Sequence, residues 1–315
     1  MTFPCKVSLV LIAYNQEAFI EEACISALSQ ESEPIEIILS DDHSTDRTFQ
    51  IMQDLVQKYT GPHEVILRQT EKNVGLVEHI NQVVELSSGE VIIYAAGDDI
   101  SVPNRVSRTM EYFQQEDKRP LIVHSSVREI DAQSRELDIC LPPIVKKSIS
   151  CEKMAQKYSL IIGATCAWHR SIWDLFGPLK YQQSYEDLIM AFRACMLGGR
   201  ESLVYCSEPL VYYRVSAGAI SQGGRNKPKD REGRRAFELK RLRTHFAVFQ
   251  QRLDDAKKIG ATHLIRVLEQ EEKNIQMMQM VYEKEVSIRH LTLFAIKNNT
   301  IQALFEALLK RFRRM

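Results

Sequence analysis

The first hundred residues repeat one rhythm. Apolar runs at 7–13, 35–39, 65–67 and 91–95 alternate with stretches whose apolar residues recur at helical spacing. In the first such stretch Phe19, Ile20, Ala23, Cys24, Ala27 and Leu28 share one helical face. Helical patterns return at about 47–59, with Ser44 or Thr45 placed to cap it, and at 76–86. Four strand–helix alternations predict an α/β fold: a doubly wound, mainly parallel sheet with right-handed crossovers.

What ends these strands narrows the chemistry. The run Val91–Ala95 leads into Gly97-Asp98-Asp99, and a buried strand has no use for two acids at its exit. Each carboxylate must be solvated, paired or bound to a cation. Open α/β sheets bind ligands just beyond the carboxyl ends of their strands. Hard oxygen ligands there suit Mg²⁺ or Mn²⁺ bridged to phosphates, whereas a plain turn would use the aspartates to cap the next helix. Asn15 and Asp41-Asp42 end two earlier strands. No P-loop is present, and no GxGxxG follows the first strand. Acids and amides of this kind suit a nucleotide base and ribose, with a metal holding the phosphates.

Beyond residue 100 the pattern loosens. Pro103 suits the first turn of a helix at 104–113, 121–124 is strand-like, and 126–149 reads as a hairpin with a loop at Pro142-Pro143. A short helix spans 151–158. Tyr185-Glu186-Asp187 opens a helix to Leu197, and 203–205 and 210–214 read as two strands. Residues 216–229, rich in Gly, Ser, Asn and Lys, read as a mobile loop. From about 230 long helical patterns run to Lys258, over 262–290 and from 300 onward. The expected division is a catalytic domain over 1–222 and a helical extension over 230–315.

Charge divides along the same line. From Arg225 onward there are 21 Lys and Arg against 11 Asp and Glu, and the earlier residues carry the compensating acidic excess. Basic helices can face anionic lipid or another acidic surface, or be plain solvated faces. No nucleic-acid motif accompanies them. Seven scattered cysteines without CxxC spacing read as reduced thiols of a cytoplasmic protein. The start of the sequence reads directly into a strand pattern, so no signal peptide is expected, and no apolar run reaches the length of a membrane span.

Several stretches match a known family in order: Val7–Asn15, Ile35–Asp46, Asn73-Val74-Gly75, Gly89-Glu90 with Ala96–Asp99, and Tyr185-Glu186-Asp187 with Arg193. Together they resemble a family 2 glycosyltransferase with the A-type nucleotide-sugar fold, of the kind used in bacterial polysaccharide assembly. The resemblance spans about residues 6–222. It implies that Ala13, Tyr14 and Glu17 line the nucleotide base and ribose. It implies that Asp41 or Asp42 accepts hydrogen bonds from the base of a UDP- or dTDP-type donor, and that Asn73 and Gly75 shape the loop above it. Asp99 would touch Mn²⁺ or Mg²⁺, with Asp98 at the ribose or a metal-bound water. Asp187, with Glu186 as rival, would be the base of an inverting transfer to a glycan or lipid-linked acceptor. Arg193 would brace these acids or meet phosphate, and Arg214 would close over the diphosphate. Two departures stand out: Gly97 sits where the family often has an acid, and Ser216 follows the Tyr-Arg strand where it often has a histidine.

Two other functions suit such a fold. A sugar nucleotidyltransferase would want a basic, glycine-rich loop after the first strand, which Ala13-Tyr14-Asn15-Gln16 is not. A non-catalytic nucleotide-sugar binding protein would not need Glu186-Asp187. The C-terminal helices are expected either to lie on the inner face of the cell membrane or to form a helical bundle that packs on the catalytic domain or mediates a homodimer. Trp168 and His169 are read as core or as acceptor-pocket residues.

Overall fold

The computed structural model describes residues 5–115, 120–140, 142, 150–156, 161–215, 228, 230–283 and 286–313. Strands β1 (Val7–Ala13), β2 (Glu36–Asp41), β3 (Glu64–Gln69) and β4 (Val91–Ala96) pair in parallel in the order β3-β2-β1-β4. Helices α1 (Ile20–Leu28), α2 (Thr48–Lys58) and α3 (Leu76–Leu86) connect them. The register sets Ala13 beside Asp41, Asp41 beside Gln69, and Ile12 beside Ala96, so three strand exits form one edge. Alternation along β1 sends Leu9 and Leu11 to one face of the sheet and Val10 and Ile12 to the other. One face is covered by α1, α2 and α4 (Arg105–Phe113); the other by α3 and later helices.

The second half of the sheet is mixed. β8 (Ala167–His169) lies antiparallel between β4 and β6 (Ile122–Ile130). β9 (Leu203–Arg214) runs parallel to β6 and antiparallel to the two-residue β5 (Ile100–Ser101). The two strands expected at 203–205 and 210–214 are thus one strand, broken in register near Pro209. The expected hairpin exists, but β7 (Glu136–Cys140) turns back at 131–135, not at the two prolines. Trp168 is buried and stacks on Trp173, which places it in the core. His169 is half-buried and bonds Ser171 Oγ at 2.8 Å.

Seven further α-helices follow among the described residues. α5 (Cys151–Ala155), α6 (Ser171–Phe176) and α7 (Glu186–Gly198) precede β9, and α8 (Arg231–Lys258) and α9 (Thr262–Tyr282) follow it. The pattern expected over 262–290 is two helices, α9 and α10 (Ile288–Lys297), and α11 (Ile301–Arg313) is the helix expected from 300 onward. One hydrophobic core runs unbroken from Val10 and Ile92 in the sheet, through Phe192 of α7, to Phe249 and Leu268 of α8 and α9. Most of the loop at 216–229, with Ser216, lies outside the described residues. One expectation is corrected: Cys151 and Cys195 are a disulfide, with Cα atoms 5.9 Å apart across a separation of 44 residues. That proximity comes from α5 packing on α7, which no spacing rule registers. Cys5, Cys24, Cys166 and Cys206 are free thiols.

Candidate active site

Two groups of acids meet at the exits of β1, β2 and β4. The first group is built from loops that hold one another. Asn15, at φ 51°, accepts from Thr45 N at 2.8 Å, while its own N–H donates to Ser44 Oγ at 2.8 Å. Asn tolerates this left-handed backbone better than most residues. Gln16 N–H donates to Thr48 Oγ1 at 2.7 Å and Glu17 N–H to Asp46 at 3.1 Å, while Glu17 accepts from Arg47 N–H at 3.0 Å. The cap expected of Ser44 or Thr45 on α2 is supplied instead by Asp46, which accepts from Thr48 N at 2.9 Å. The earlier hydroxyls are already engaged with Asn15 and Asp41.

Asp41 and Asp42 are both buried and occupied by protein donors. Asp41 accepts from Ser44 N at 2.9 Å, from Ser44 Oγ and from Gln69 Nε2 at 2.8 Å. Asp42 accepts from Thr70 Oγ1, Val74 N and Gly75 N at 3.1, 2.9 and 2.9 Å. Asn73 donates to the Asp42 carbonyl at 3.2 Å. Gly75 takes φ 82°, which favours glycine, and this turns its N–H toward Asp42. The two acids therefore tie together the loops at this sheet edge, where Tyr14 is 46% exposed.

The second acid position of this edge is Asp98-Asp99. Asp99 is buried and accepts from Arg214 N–H at 2.8 Å. Burial raises both carboxyls above the usual carboxylate range, Asp99 well above it, and the charge of Asp98 adds to the rise in Asp99. Such a pair favours a positive partner. Among the described residues no third His, Cys, Asp or Glu joins them to make a protein-only cage. A side chain at position 97 would be crowded. A Cβ there would lie 2.3 Å from Gln16 Oε1, 2.8 Å from Ala13 Cβ and 3.0 Å from Ile20 Cδ1. The donor set fits a divalent cation shared with a bound polyanion, not one caged by protein alone.

Glu186 and Asp187 begin α7, across a short bridge. Arg105, wholly buried, donates to Ser101 Oγ at 3.0 Å, to the Tyr94 carbonyl and to the Ala164 carbonyl at 2.7 Å. Its charge also opposes the rise in Asp99. Next to Ala164, Gly163 lies against the acids: a Cβ there would be 2.8 Å from Glu186 Oε1. Each acid keeps part of its surface open but is enclosed by neighbouring atoms. Burial, then the Asp187 charge, pushes Glu186 up to about 8. Burial pushes Asp187 up to about 6, held back by the N–H groups of Leu188 and Gly163 and by Arg252. The Leu188 N–H reaches Asp187 Oδ1 at 2.7 Å. The Tyr94 hydroxyl is buried without a hydrogen-bond partner and feels the Glu186 charge.

Two expected donor contacts are corrected. Arg193 is turned into the core, where it binds Asp255 of α8 at 2.7 and 3.0 Å and the Gly177 carbonyl at 2.9 Å over the Phe176 ring. Arg214 spends its guanidinium on the Asp98 carbonyl (2.9 Å), the Asp131 carbonyl (2.9 Å) and Glu22 (2.7 Å), above Phe19. Buried there, it holds the Asp98-Asp99 turn in place. Arg105 and Arg252 escaped the sequence reading. Their signal was position: each falls among buried apolar residues on its helix, beside Val106 and Leu253.

A mixed sheet with parallel strands, acids at their exits and an acid pair on a facing helix defines an A-type glycosyltransferase fold. Comparisons with known proteins agree. The family model described as Glycosyl transferase family 2 matches residues 8–203, and the chain belongs to that family. An uncharacterized glycosyltransferase of Haemophilus influenzae is 24% identical over 316 residues, covering 93% of this chain and 94% of that protein. An uncharacterized Mycobacterium tuberculosis protein is 33% identical over 120 residues, which span 34% of its length. The crystal structure of S. aureus TarS 1–349 in complex with UDP-GlcNAc superposes with a TM-score of 0.57 at 15% identity, covering 97% of this chain and 92% of that one. Mannosyltransferase PcManGT from Pyrobaculum calidifontis, in complex with GDP-Man and Mn²⁺, gives 0.55 at 13% identity, covering 99% and 88%.

Proposed function

We propose that this glycosyltransferase moves a sugar from a UDP- or dTDP-type nucleoside-diphosphate sugar to a hydroxyl of a glycan or lipid-linked acceptor, with inversion, in cell-surface polysaccharide assembly. The observation that carries this reading is the two acid pairs joined through Arg105 and the Ala164 carbonyl. One pair awaits positive charge and the other sits at the start of α7. Complexes of fold relatives with UDP-GlcNAc and GDP-Man support a donor of this class.

Loops 14–17, 41–48 and 69–75 take the nucleoside. Asp98 and Asp99 would hold Mn²⁺ or Mg²⁺, which would supply positive charge to offset the charge that grows on the leaving diphosphate. Asp187, the more acidic of its pair, is the ionised member near neutral pH and accepts the acceptor hydroxyl's proton. The oxygen forms its bond to the anomeric carbon as the bond to the donor phosphate breaks, and nucleoside diphosphate leaves. Glu186, protonated at that pH, adds no second negative charge beside the base.

The test is nucleoside diphosphate release from a panel of UDP-, dTDP- and GDP-sugars with and without Mn²⁺. Release that is metal-independent, or undiminished in Asp99→Ala, would refute the metal role. Asp187→Asn should bind donor and lose transfer. Normal transfer by that variant, with loss in Glu186→Gln, would move the base to Glu186.

A further inference from the structure

The last two helices carry apolar bulk on two sides. Leu291, Ala295, Ala303 and Ala307 meet Met277 and Val281 of α9, with Phe294, Leu304 and Leu308 partly buried beside them. A second set points away: Ile288, Leu293, Ile296, Ile301 and Phe305 are 79, 60, 63, 59 and 64% exposed. In α11 Ile301 and Phe305, four residues apart, share one face, and Ala303 and Ala307 lie on the side that meets α9. Covering α9 leaves this outer set without a role. An apolar stripe of this extent on a surface marks a contact site.

Charge selects the partner. From Ile288 onward the chain has six Lys and Arg against one Glu, and Arg289 and Lys297 flank Leu293 and Ile296. A second copy meeting this face across a two-fold axis would set like charges against each other. An anionic lipid surface suits both features: apolar side chains enter the headgroup boundary while cations meet lipid phosphates. No helix among the described residues is long and apolar enough to cross a membrane, so the fit is with a helix lying in the interface.

We infer that α10 and α11 bind an anionic bilayer surface through Leu293, Ile296, Ile301 and Phe305, flanked by their basic residues. This contact is independent of sugar transfer and stands or falls without it.

The experiment is sedimentation of the full chain with vesicles of phosphatidylcholine alone or with one third phosphatidylglycerol. Binding should rise at least about fivefold with the anionic lipid and weaken in high salt. The double variant Ile301→Glu/Phe305→Glu should lose about tenfold or more of that binding, with an unchanged melting curve because both side chains are exposed. Equal sedimentation of wild type and variant, or none with either vesicle, would overturn the inference. So would a dimer, seen by light scattering, that the double variant makes monomeric while vesicle binding is absent.

Discussion

The two halves of the site are held by different forces. On the donor side, loops 14–17, 41–48 and 69–75 are cross-linked by short hydrogen bonds, many to backbone N–H groups near the surface. On the acceptor side, α7 is held by buried arginines. Arg193 pairs with Asp255 at 0 and 3% exposure, and Arg252 donates to carbonyls of Leu188 at 2.9 Å and Met154 at 3.2 Å. The exposed contacts among these loops, such as Glu17 with Arg47, are small and replaceable, whereas the buried charges, Asp41 and Asp42 beneath the loops and Arg193, Asp255 and Arg252 behind α7, are each costly to remove. The helices that anchor α7 also belong to the C-terminal extension, so that extension helps build the site.

The largest expected effect is on the acceptor side. Asp187→Asn should lower kcat by about 10²–10⁴-fold with donor binding retained, read by steady-state kinetics and calorimetry. Asp255→Ala, which leaves the Arg193 cation buried and alone, should cost about 3–5 kcal/mol in urea unfolding. The double variant Arg193→Met/Asp255→Leu should recover most of that loss. If Asp255→Ala costs no more than a surface change, the contrast between the halves fails.

The next expectation is a pH dependence with a definite sign. Glu186 and Asp187 have folded pKa values of about 8 and about 6, both raised by burial. The folded state therefore holds protons that the unfolded chain gives up, and stability falls as pH rises from the ordinary carboxylate range through about 8. Thermal unfolding of the metal-free protein should show that decline, and Glu186→Gln should flatten its upper part. In activity, the acid limb of kcat/KM should sit at about 6 in wild type and move upward in Arg252→Gln, since that cation favours ionised Asp187. The smallest effect belongs to the donor side. Glu17→Ala removes one exposed hydrogen bond to Arg47 N–H and should cost about 1 kcal/mol or less.

The donor half was largely legible because its acids and amides stand at strand exits, and a strand exit is visible as the end of an apolar run. Asn15, Asp41-Asp42 and Asp98-Asp99 were found in this way. What failed was the assignment of contacts. Arg193 and Arg214 lie next to candidate site residues in sequence, yet their side chains leave for partners 62 and 192 residues away. No local pattern encodes such a partner. The disulfide between Cys151 and Cys195 was hidden for the same reason. The outward apolar face of α11 is periodic in the sequence, but which side of that helix meets α9 depends on packing.

The crowding at Gly97 has an evolutionary reading. Ala13 Cβ is backbone-anchored and cannot swing aside, so a third acid at position 97 is blocked until position 13 shrinks. Ala13→Gly alone loosens a buried strand end and brings no ligand, while Gly97→Asp alone collides. The path from this two-acid site to a three-acid one therefore crosses a valley where each single step is harmful, and the order of substitutions decides whether it is passable.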